Sequence, residues 1–122
     1  NDIPVIRYSD ILLSRAEALN ELNGPQNASV SLINEVRTRA GAKEIKLADY
    51  PAKEKLRDFI LAERGREFFG EGKRREDLIR MNKFISGAQA RGVSAKDFHV
   101  LYPIPQTEID ADKNLEQNEG YN

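Results

Sequence analysis

The chain has 122 residues, of which 39% are apolar and 32% charged, and its formal net charge is −1. This length and composition indicate one globular domain, and they exclude a disordered chain and the basic surface typical of nucleic-acid binding proteins. There is no cysteine, which excludes disulfides, cysteine-based zinc sites and thiol nucleophiles, and no apolar run is long enough to span a membrane.

Residues 9–41 are predicted to form a hairpin of two α-helices. The first helix covers residues 9–23 and ends at Gly24, and the second covers residues 28–40 and ends at Gly41. Because the connection between them is short, the two helices are expected to pack in antiparallel orientation.

Each helix of this hairpin carries a stripe that is predicted to face the core. The first stripe consists of Tyr8, Ile11, Leu12, Leu19 and Leu22, with Arg15 in its middle. The second consists of Val30, Ile33, Val36 and Ala40, with Arg37 at its edge. Both arginines are therefore expected to point inward.

A second helical hairpin is predicted over residues 51–86. Pro51 suits the first turn of a helix that runs to about Phe69. Glycines separate this helix from a fourth one over residues 74–85, which Gly87 ends.

Residues 87–122 are predicted to form a long irregular tail. Its segment FHVLYPIP alternates loosely and is expected to be extended, although Pro103 and Pro105 exclude a central strand. One helical turn is predicted at residues 106–110. The chain is thus predicted to be all-α, with about four helices followed by this tail.

The segment ERGREFFGEGKRRED, residues 63–77, places acids where apolar residues are expected. On a helical wheel Glu63 and Glu67 lie in the centre of the apolar stripe of the third helix, and Asp77 lies in the stripe of the fourth. A buried carboxylate needs a partner or takes up a proton. A metal site, an acid–base pair and interhelical arginine bonds all satisfy this requirement.

Arginine bonds are the favoured interpretation of the two glutamates. Carboxylate metal sites in helical bundles usually recruit histidine, and the single histidine, His99, lies in the irregular tail. We therefore predict that Arg15 and Arg37 bind Glu63 and Glu67 across the helices. No metal, cofactor or catalytic residue is predicted.

The remaining polar and aromatic candidates have a structural interpretation beside a functional one. The Gly-x-Lys sequence in EGKRRED favours a tight turn over a phosphate loop, and Arg74 and Arg75 are then predicted to be solvated. For His99 a structural role is favoured over general-base catalysis. Phe98, Tyr102 and Tyr121 favour packing in the core or in a hairpin over stacking on sugar rings. Carbohydrate binding or ordinary polar loops account for Gln106, Asn114, Gln117, Asn118 and Asn122.

Four segments together resemble the SusD/RagB family. They are RYSDILLSRAEALNE (7–21), INEVRTRAG (33–41), FILAERGREFFGEGKRREDLIR (59–80) and LYPIPQTEIDADKNLEQNEGYN (101–122). The chain departs from the family pattern at Gly65, where a better helix former is usual, and at Arg15, Arg75 and Glu76, where aromatic residues are common.

The resemblance implies that residues 1–122 are the C-terminal segment of a longer protein with tetratricopeptide-like helical hairpins. Such proteins are non-enzymatic lipoproteins on the surface of the outer membrane. They capture glycans, or in some members peptides, for a SusC-like TonB-dependent transporter. The lipid anchor would precede this chain, and surfaces that pack on the missing N-terminal part are expected to be exposed and apolar. No ligand-binding residue is implied.

Two alternatives to this function stay open. A free-standing tetratricopeptide-like module would bind another protein, which the hairpins favour and the PIP…EID…QNxGY tail does not. A small hydrolase or metalloenzyme would use Glu63 and Glu67.

Overall fold

A computed structural model describes residues 5–121 of the chain, which divides into two compact units, Asn1–Arg74 and Arg75–Asn122. Over the described residues the regular elements are six α-helices and two 3₁₀ helices, with no strand. The predicted all-α fold is therefore confirmed.

The first unit is built on three helices, α1 (Tyr8–Asn23), α2 (Asn27–Arg39) and α3 (Lys53–Glu67), with a 3₁₀ turn at Leu47–Asp49. Helix α1 packs against both of the others. It ends where Gly24 adopts a φ of +77° and donates its N–H to the carbonyl of Asn20. These bounds agree with the predicted hairpin to within one or two residues.

The start of α3 differs from the prediction. Ala52 has an extended backbone, with φ −121° and ψ 144°, so the helix begins at Lys53 and Pro51 lies before its N-cap. The helix ends at Glu67, two residues earlier than predicted, because Phe68 leaves the helical conformation while its N–H still donates to the carbonyl of Arg64.

The core of the first unit lies between the three helices. Leu13, Ile33, Leu56 and Ile60 are fully buried there. They belong to one apolar cluster that also contains Leu12, Ala16, Val36 and Phe68. Each helix therefore contributes side chains to a single shared core.

The predicted orientation of α1 is wrong except at Leu12, which is buried as predicted. Tyr8, Ile11 and Leu22 of the predicted stripe are 70%, 53% and 80% exposed, and Arg15 is exposed as well. The buried face instead carries Ser9, Leu12, Leu13, Ala16 and Asn20. Its small residues, Ser9 and Ala16, leave room for neighbouring helices, and a wheel that counts large apolar residues gives them too little weight.

The stripe of α2 is largely as predicted. Val30, Ile33 and Val36 are buried. Ala40 is the exception, because it is the C-cap residue of the helix and is exposed.

The fourth predicted helix is two helices, α4 (Arg74–Arg80) and α5 (Phe84–Gln89). Asn82 adopts a φ of +54°, and the N–H of Lys83 donates back to the carbonyl of Leu78 at 2.7 Å, which ends α4. The prediction that Gly87 ends a helix is wrong, since α5 continues beyond it.

The tail contains more regular structure than predicted. A 3₁₀ helix at Asp97–Val100 replaces the start of the predicted extended segment, and α6 (Gln106–Ala111) confirms the predicted turn. No helix within residues 5–121 is both long and apolar enough to cross a membrane.

Candidate functional site

Glu63 of α3 is held between two arginines. Its side chain is 7% exposed and accepts from Arg37 of α2 at 2.7 Å and from Arg66 at 2.5 Å. Arg37 also donates to the carbonyl of Lys43 at 2.7 Å and lies 5.4 Å from the ring centre of Phe59. The predicted bond from Arg37 to an α3 carboxylate is confirmed for Glu63.

Glu67 lies one turn further along α3 and binds two other arginines. Its side chain is 8% exposed and accepts from Arg7 at 2.9 Å and from Arg39 at 2.6 Å. Burial alone would raise the pKa of the Glu67 carboxyl, but hydrogen bonds from Ser9, Arg7 and Arg39 outweigh it and lower that pKa. The carboxylate is therefore ionised at neutral pH.

Arg7, the residue that precedes α1, binds both ends of the turn that follows α3. Its Nε and Nη2 donate to the two carboxylate oxygens of Glu71 at 3.0 and 2.7 Å, and Nη2 also donates to the carbonyl of Glu67. The hydrogen bond to Glu71 is the main cause of a raised pKa for Arg7 and of a lowered pKa for Glu71. This is the planar, two-point recognition of which guanidinium is capable.

A further contact joins α3 to α1. Arg64, which is 5% exposed, donates to Asp10 at 2.8 Å, and Lys73 reaches the other oxygen of Asp10 at 3.0 Å. Burial opposes ionisation of Asp10, but the bonds from Lys73 and Arg64 prevail and lower its pKa.

These contacts show what the inward acids do in the structure. Glu63, Glu67 and Asp10 are each held by two cations, and the buried Asp77 accepts from Arg80 at 2.8 Å. Within residues 5–121 no three acidic or histidine side chains are grouped so as to hold a metal ion. Glu63, Glu67 and Asp10, together with the cations that hold them, form an ion-pair lattice that connects α1, α2 and α3.

The prediction that Arg15 joins this lattice is wrong, because its side chain lies on the exposed side of α1. Two partners of Glu67, Arg7 and Arg39, were not predicted. Arg7 precedes the predicted first helix, so a wheel assigns it no face. Arg39 lies within the predicted second helix but off its apolar stripe.

Arg74 is not merely solvated, contrary to the prediction. Its Nη1 donates to the carbonyl of Leu61 at 2.7 Å. The guanidinium passes directly over Gly65, where an added Cβ would lie 2.8 Å from Nη1. The glycine that departs from the family pattern therefore provides the space through which Arg74 reaches the helix backbone.

Arg75, in the second unit, also has specific contacts. Its guanidinium carbon lies 4.0 Å from the ring centre of Tyr102 and 5.1 Å from that of Phe84. Its Nη2 donates to the carbonyl of Val100 at 2.8 Å and more weakly to that of His99 at 3.3 Å. The predicted solvation is wrong, since Arg75 packs between two rings where the family often has an aromatic residue.

Phe98 and Tyr121 are half-buried and pack against each other. Their ring centres are 4.9 Å apart in an edge-on arrangement, and the hydroxyl of Tyr121 donates to the carbonyl of Leu101 at 2.7 Å. Gly120 adopts a φ of +88°, and a Cβ there would lie 2.4 Å from the Phe98 ring. Tyr102, by contrast, is 69% exposed.

The polar side chains of the tail mostly bind its own backbone. Gln117 bonds both the N–H and the carbonyl of Ile104, at 2.8 and 2.9 Å, and Asn118 donates to the carbonyl of Tyr102 at 2.7 Å. Gln106 and Asn114 bond to Asp110 and Asp112, and His99 accepts the N–H of Lys96 through Nδ1. Asn122 lies outside the described residues.

A groove of about 420 Å³ lies beside Arg75 in the second unit. Its walls are Phe84, Ala88, Val93, Ser94, Ala95, His99, Leu101, Tyr102 and Tyr121. These walls are mostly apolar, and Arg75 is the permanently charged group among them.

Comparison with known proteins extends over almost the whole chain. The sequence model of the SusD family matches residues 1–121. The starch-binding protein SusD of Bacteroides thetaiotaomicron is 34% identical over 128 residues, which cover 98% of this chain and 22% of that protein. A SusD-like protein, P38, of Formosa agariphila is also 34% identical, over 98% of this chain and 25% of its own length.

Solved structures agree with the sequence comparison. A SusD superfamily protein from Bacteroides vulgatus superposes with a TM-score of 0.82 at 26% identity, covering 98% of this chain and 28% of that one. One from Bacteroides thetaiotaomicron superposes with a TM-score of 0.80 at 36% identity, covering 98% and 26%. The chain thus spans about a quarter of the length of the curated relatives it matches, 22% and 25% of these two.

Proposed function

The chain belongs to the SusD family, and on that premise we propose that it is part of a non-enzymatic protein that captures glycans at the cell surface. The observation that carries this proposal is 34% identity with a starch-binding protein over 98% of the chain. The captured glycan would be delivered to a SusC-like TonB-dependent transporter. Peptides are the second ligand class within the same proposal.

The first unit supports a scaffolding role within such a protein. Its inward acids are neutralised by arginines, so Glu63 and Glu67 serve helix packing rather than proton transfer. In this proposal residues 1–122 form the C-terminal segment, and the remaining part of the polypeptide packs against surfaces of the first unit. Attachment to the outer membrane would be through a lipid anchor that lies N-terminal to this chain.

Binding and hydrolysis should be measured on the complete protein encoded by the source gene, beside the 122-residue chain. Starch is the first ligand to test, followed by other plant and algal polysaccharides in affinity gel electrophoresis. We expect the complete protein to be retarded by at least one polysaccharide, with no release of reducing sugar. Retardation by none of them would contradict glycan capture, and steady release of reducing sugar would contradict the non-enzymatic role.

The alternative function is a free-standing tetratricopeptide-like module that binds a protein. The observation that favours it is the row of exposed apolar side chains on α1, including Ile11 and Leu22. A source gene that begins close to Asn1, together with capture of a defined protein partner and no retardation by polysaccharides, would support this alternative.

A further inference from the structure

The groove beside Arg75 in the second unit has one permanent charge on its walls. Seven of the other nine residues that line it are apolar or aromatic, and none of these described lining residues is an acid. The groove volume of about 420 Å³ lies within the range of about 300–1,000 Å³ that is typical of small-molecule sites. The groove therefore has room for a molecule that consists of one ring and a short side chain.

Arg75 differs from the other arginines that are shielded from water. Within residues 5–121 five arginines are buried or half-buried. Four of them bind a carboxylate, namely Arg7, Arg37, Arg57 and Arg64. Arg75 is the fifth, and its acceptors within the same residues are neutral carbonyl oxygens. The described part of the chain therefore leaves its charge without the anionic partner that partial removal from water calls for.

The guanidinium of Arg75 is held in place and has N–H groups to spare. Its carbon lies 4.0 Å from the ring centre of Tyr102 and 5.1 Å from that of Phe84, and Nη2 donates to the carbonyl of Val100. Among the described residues neither Nε nor Nη1 has a hydrogen-bond acceptor. An oriented guanidinium with unused donors is suited to a carboxylate, whose two oxygens match its planar arrangement of N–H groups.

His99 supplies a second donor on the same walls. Its Nδ1 accepts the N–H of Lys96 at 2.8 Å, so the neutral ring carries its proton on Nε2. Nε2 makes no hydrogen bond within residues 5–121. Arg75 and His99 therefore both offer donors to the groove, which favours a ligand with an acceptor group.

We propose that this groove binds a small aromatic carboxylate, with its carboxylate on Arg75 and its ring against the apolar walls. Phe84, Tyr102 and Tyr121 provide rings against which a planar molecule can pack offset or edge-on. His99 Nε2 is the second donor to the ligand. This site goes beyond glycan capture and does not depend on it.

The apolar walls argue against a sugar acid as the ligand. A uronate has the same carboxylate, but each of its ring hydroxyls would need a hydrogen-bond partner when it leaves water. The walls offer few such partners, and the hydroxyl of Tyr121 already donates to the carbonyl of Leu101. An aromatic ring needs none, and its burial against apolar walls is favourable.

The test is isothermal titration calorimetry on the complete protein encoded by the source gene. The probe is 3-phenylpropanoate, for which we expect a Kd of about 1 mM or tighter, as suits a ligand of this size. The neutral 3-phenylpropanamide and the ring-free propanoate should each bind at least about tenfold more weakly, because one lacks the charge and the other the apolar body. Glucuronate, a sugar acid, should also bind at least about tenfold more weakly.

Variants of Arg75 assign the binding to this groove. Arg75→Gln should weaken the binding of 3-phenylpropanoate at least about tenfold, since a charge-assisted hydrogen bond is lost. Arg75→Phe restores the type of residue that is common in the family, so it keeps the groove packed and should lose the preference for the carboxylate over the amide. Arg91→Gln is the matched control, because Arg91 is exposed in the same unit outside the groove. It should leave the affinity unchanged.

Hydrogen exchange of the Ile104 amide, which donates to Gln117, checks that the second unit is intact in each variant. Four results would overturn the proposal. They are no binding of 3-phenylpropanoate, equal affinity for its amide, an affinity that both Arg75 variants leave unchanged, and tighter binding of glucuronate that depends on Arg75. Retardation by polysaccharides is measured separately, so failure of this proposal and failure of glycan capture can be told apart.

Discussion

The first unit buries apolar side chains between three helices, whereas the second is held mainly by hydrogen bonds from side chains to backbone. Ten apolar residues are buried in the first unit. In residues 75–121, Asp77 is the one buried residue, and Gln117, Asn118, Tyr121 and Arg75 each bond a backbone carbonyl.

This difference shows that the two units depend on different interactions for their structure. Apolar burial scales with area and stabilises the first unit as a whole. A hydrogen bond between exposed groups exchanges for one to water and contributes little net free energy, so it fixes the path of a chain more than it stabilises a fold. The second unit is therefore expected to open locally well before the first unfolds.

The largest effect should come from truncating the apolar core. Leu56 is fully buried, and Leu56→Ala is expected to lower the free energy of unfolding by about 2–5 kcal/mol through lost contacts and a residual cavity. Leu101→Ala is the control in the second unit, where the side chain is 55% exposed and the expected loss is below about 0.5 kcal/mol. Urea denaturation of both variants measures this, and equal losses would contradict the comparison.

The ion-pair lattice should contribute less than the core but measurably. Glu67→Gln removes the charge that Arg7 and Arg39 share at a site where the carboxylate is 8% exposed. We expect a loss of about 1–3 kcal/mol, limited by the access of Arg39 to water. Glu71→Gln is a matched control, since the same group changes on the exposed partner of Arg7. An equal or larger loss for Glu71→Gln would show that burial of Glu67 is irrelevant.

In the second unit the expected effect is local. Gln117→Ala removes two hydrogen bonds to Ile104, worth about 1–2 kcal/mol together. Hydrogen exchange of the Ile104 amide should accelerate, while amides of α2 keep their protection. Gln106→Ala, which loses only a contact with Asp110, should leave Ile104 unchanged. Unaltered exchange at Ile104 in Gln117→Ala would refute the assigned bond.

The smallest effect should be a pH dependence at the surface of the first unit. Arg57 and Lys53 lower the pKa of the Glu21 carboxyl from 4.5 to about 2, although burial partly opposes this shift. Between these values the unfolded chain binds more protons than the folded one, so this contribution is complete above pH 4.5 and disappears as the pH falls towards 2.

Glu21→Gln isolates that contribution. Because the Glu21 side chain is 35% exposed, its pair should be worth less than about 1 kcal/mol. The melting temperature of the wild type should exceed that of Glu21→Gln at neutral pH, and the two should converge near pH 2. A difference that persists undiminished in acid would mean that Glu21 acts through packing rather than charge.

Much of the helical architecture follows from local sequence signals. Gly24 and Gly41 mark helix ends, and the wheel correctly places Glu63 and Glu67 inside α3. The break after α4 was missed because it depends on Asn82, a residue that adopts positive φ without the strong signal of glycine or proline. The pair of Arg37 and Glu63 was predicted because each residue lies on the core-facing side of its helix or at the edge of that side, whereas Arg7 lies outside α1.

The orientation of α1 was beyond sequence reasoning for a different reason. A helix with two apolar faces has two self-consistent orientations, and periodicity does not choose between them. The structure chooses the face with Ala16 and Leu13, and leaves Ile11 and Leu22 outside. The choice depends on the shapes of α2 and α3, which are properties of the assembled unit.

Gly65 makes positions 65 and 74 epistatic. Alanine at 65 would favour the helix, but its methyl group would meet the guanidinium of Arg74 on its way to Leu61. In an Arg74→Ala background no guanidinium obstructs residue 65, so Gly65→Ala should then stabilise the helix. With Arg74 present, Gly65→Ala should instead cost the hydrogen bond from Arg74 to the carbonyl of Leu61, because the guanidinium has to move aside.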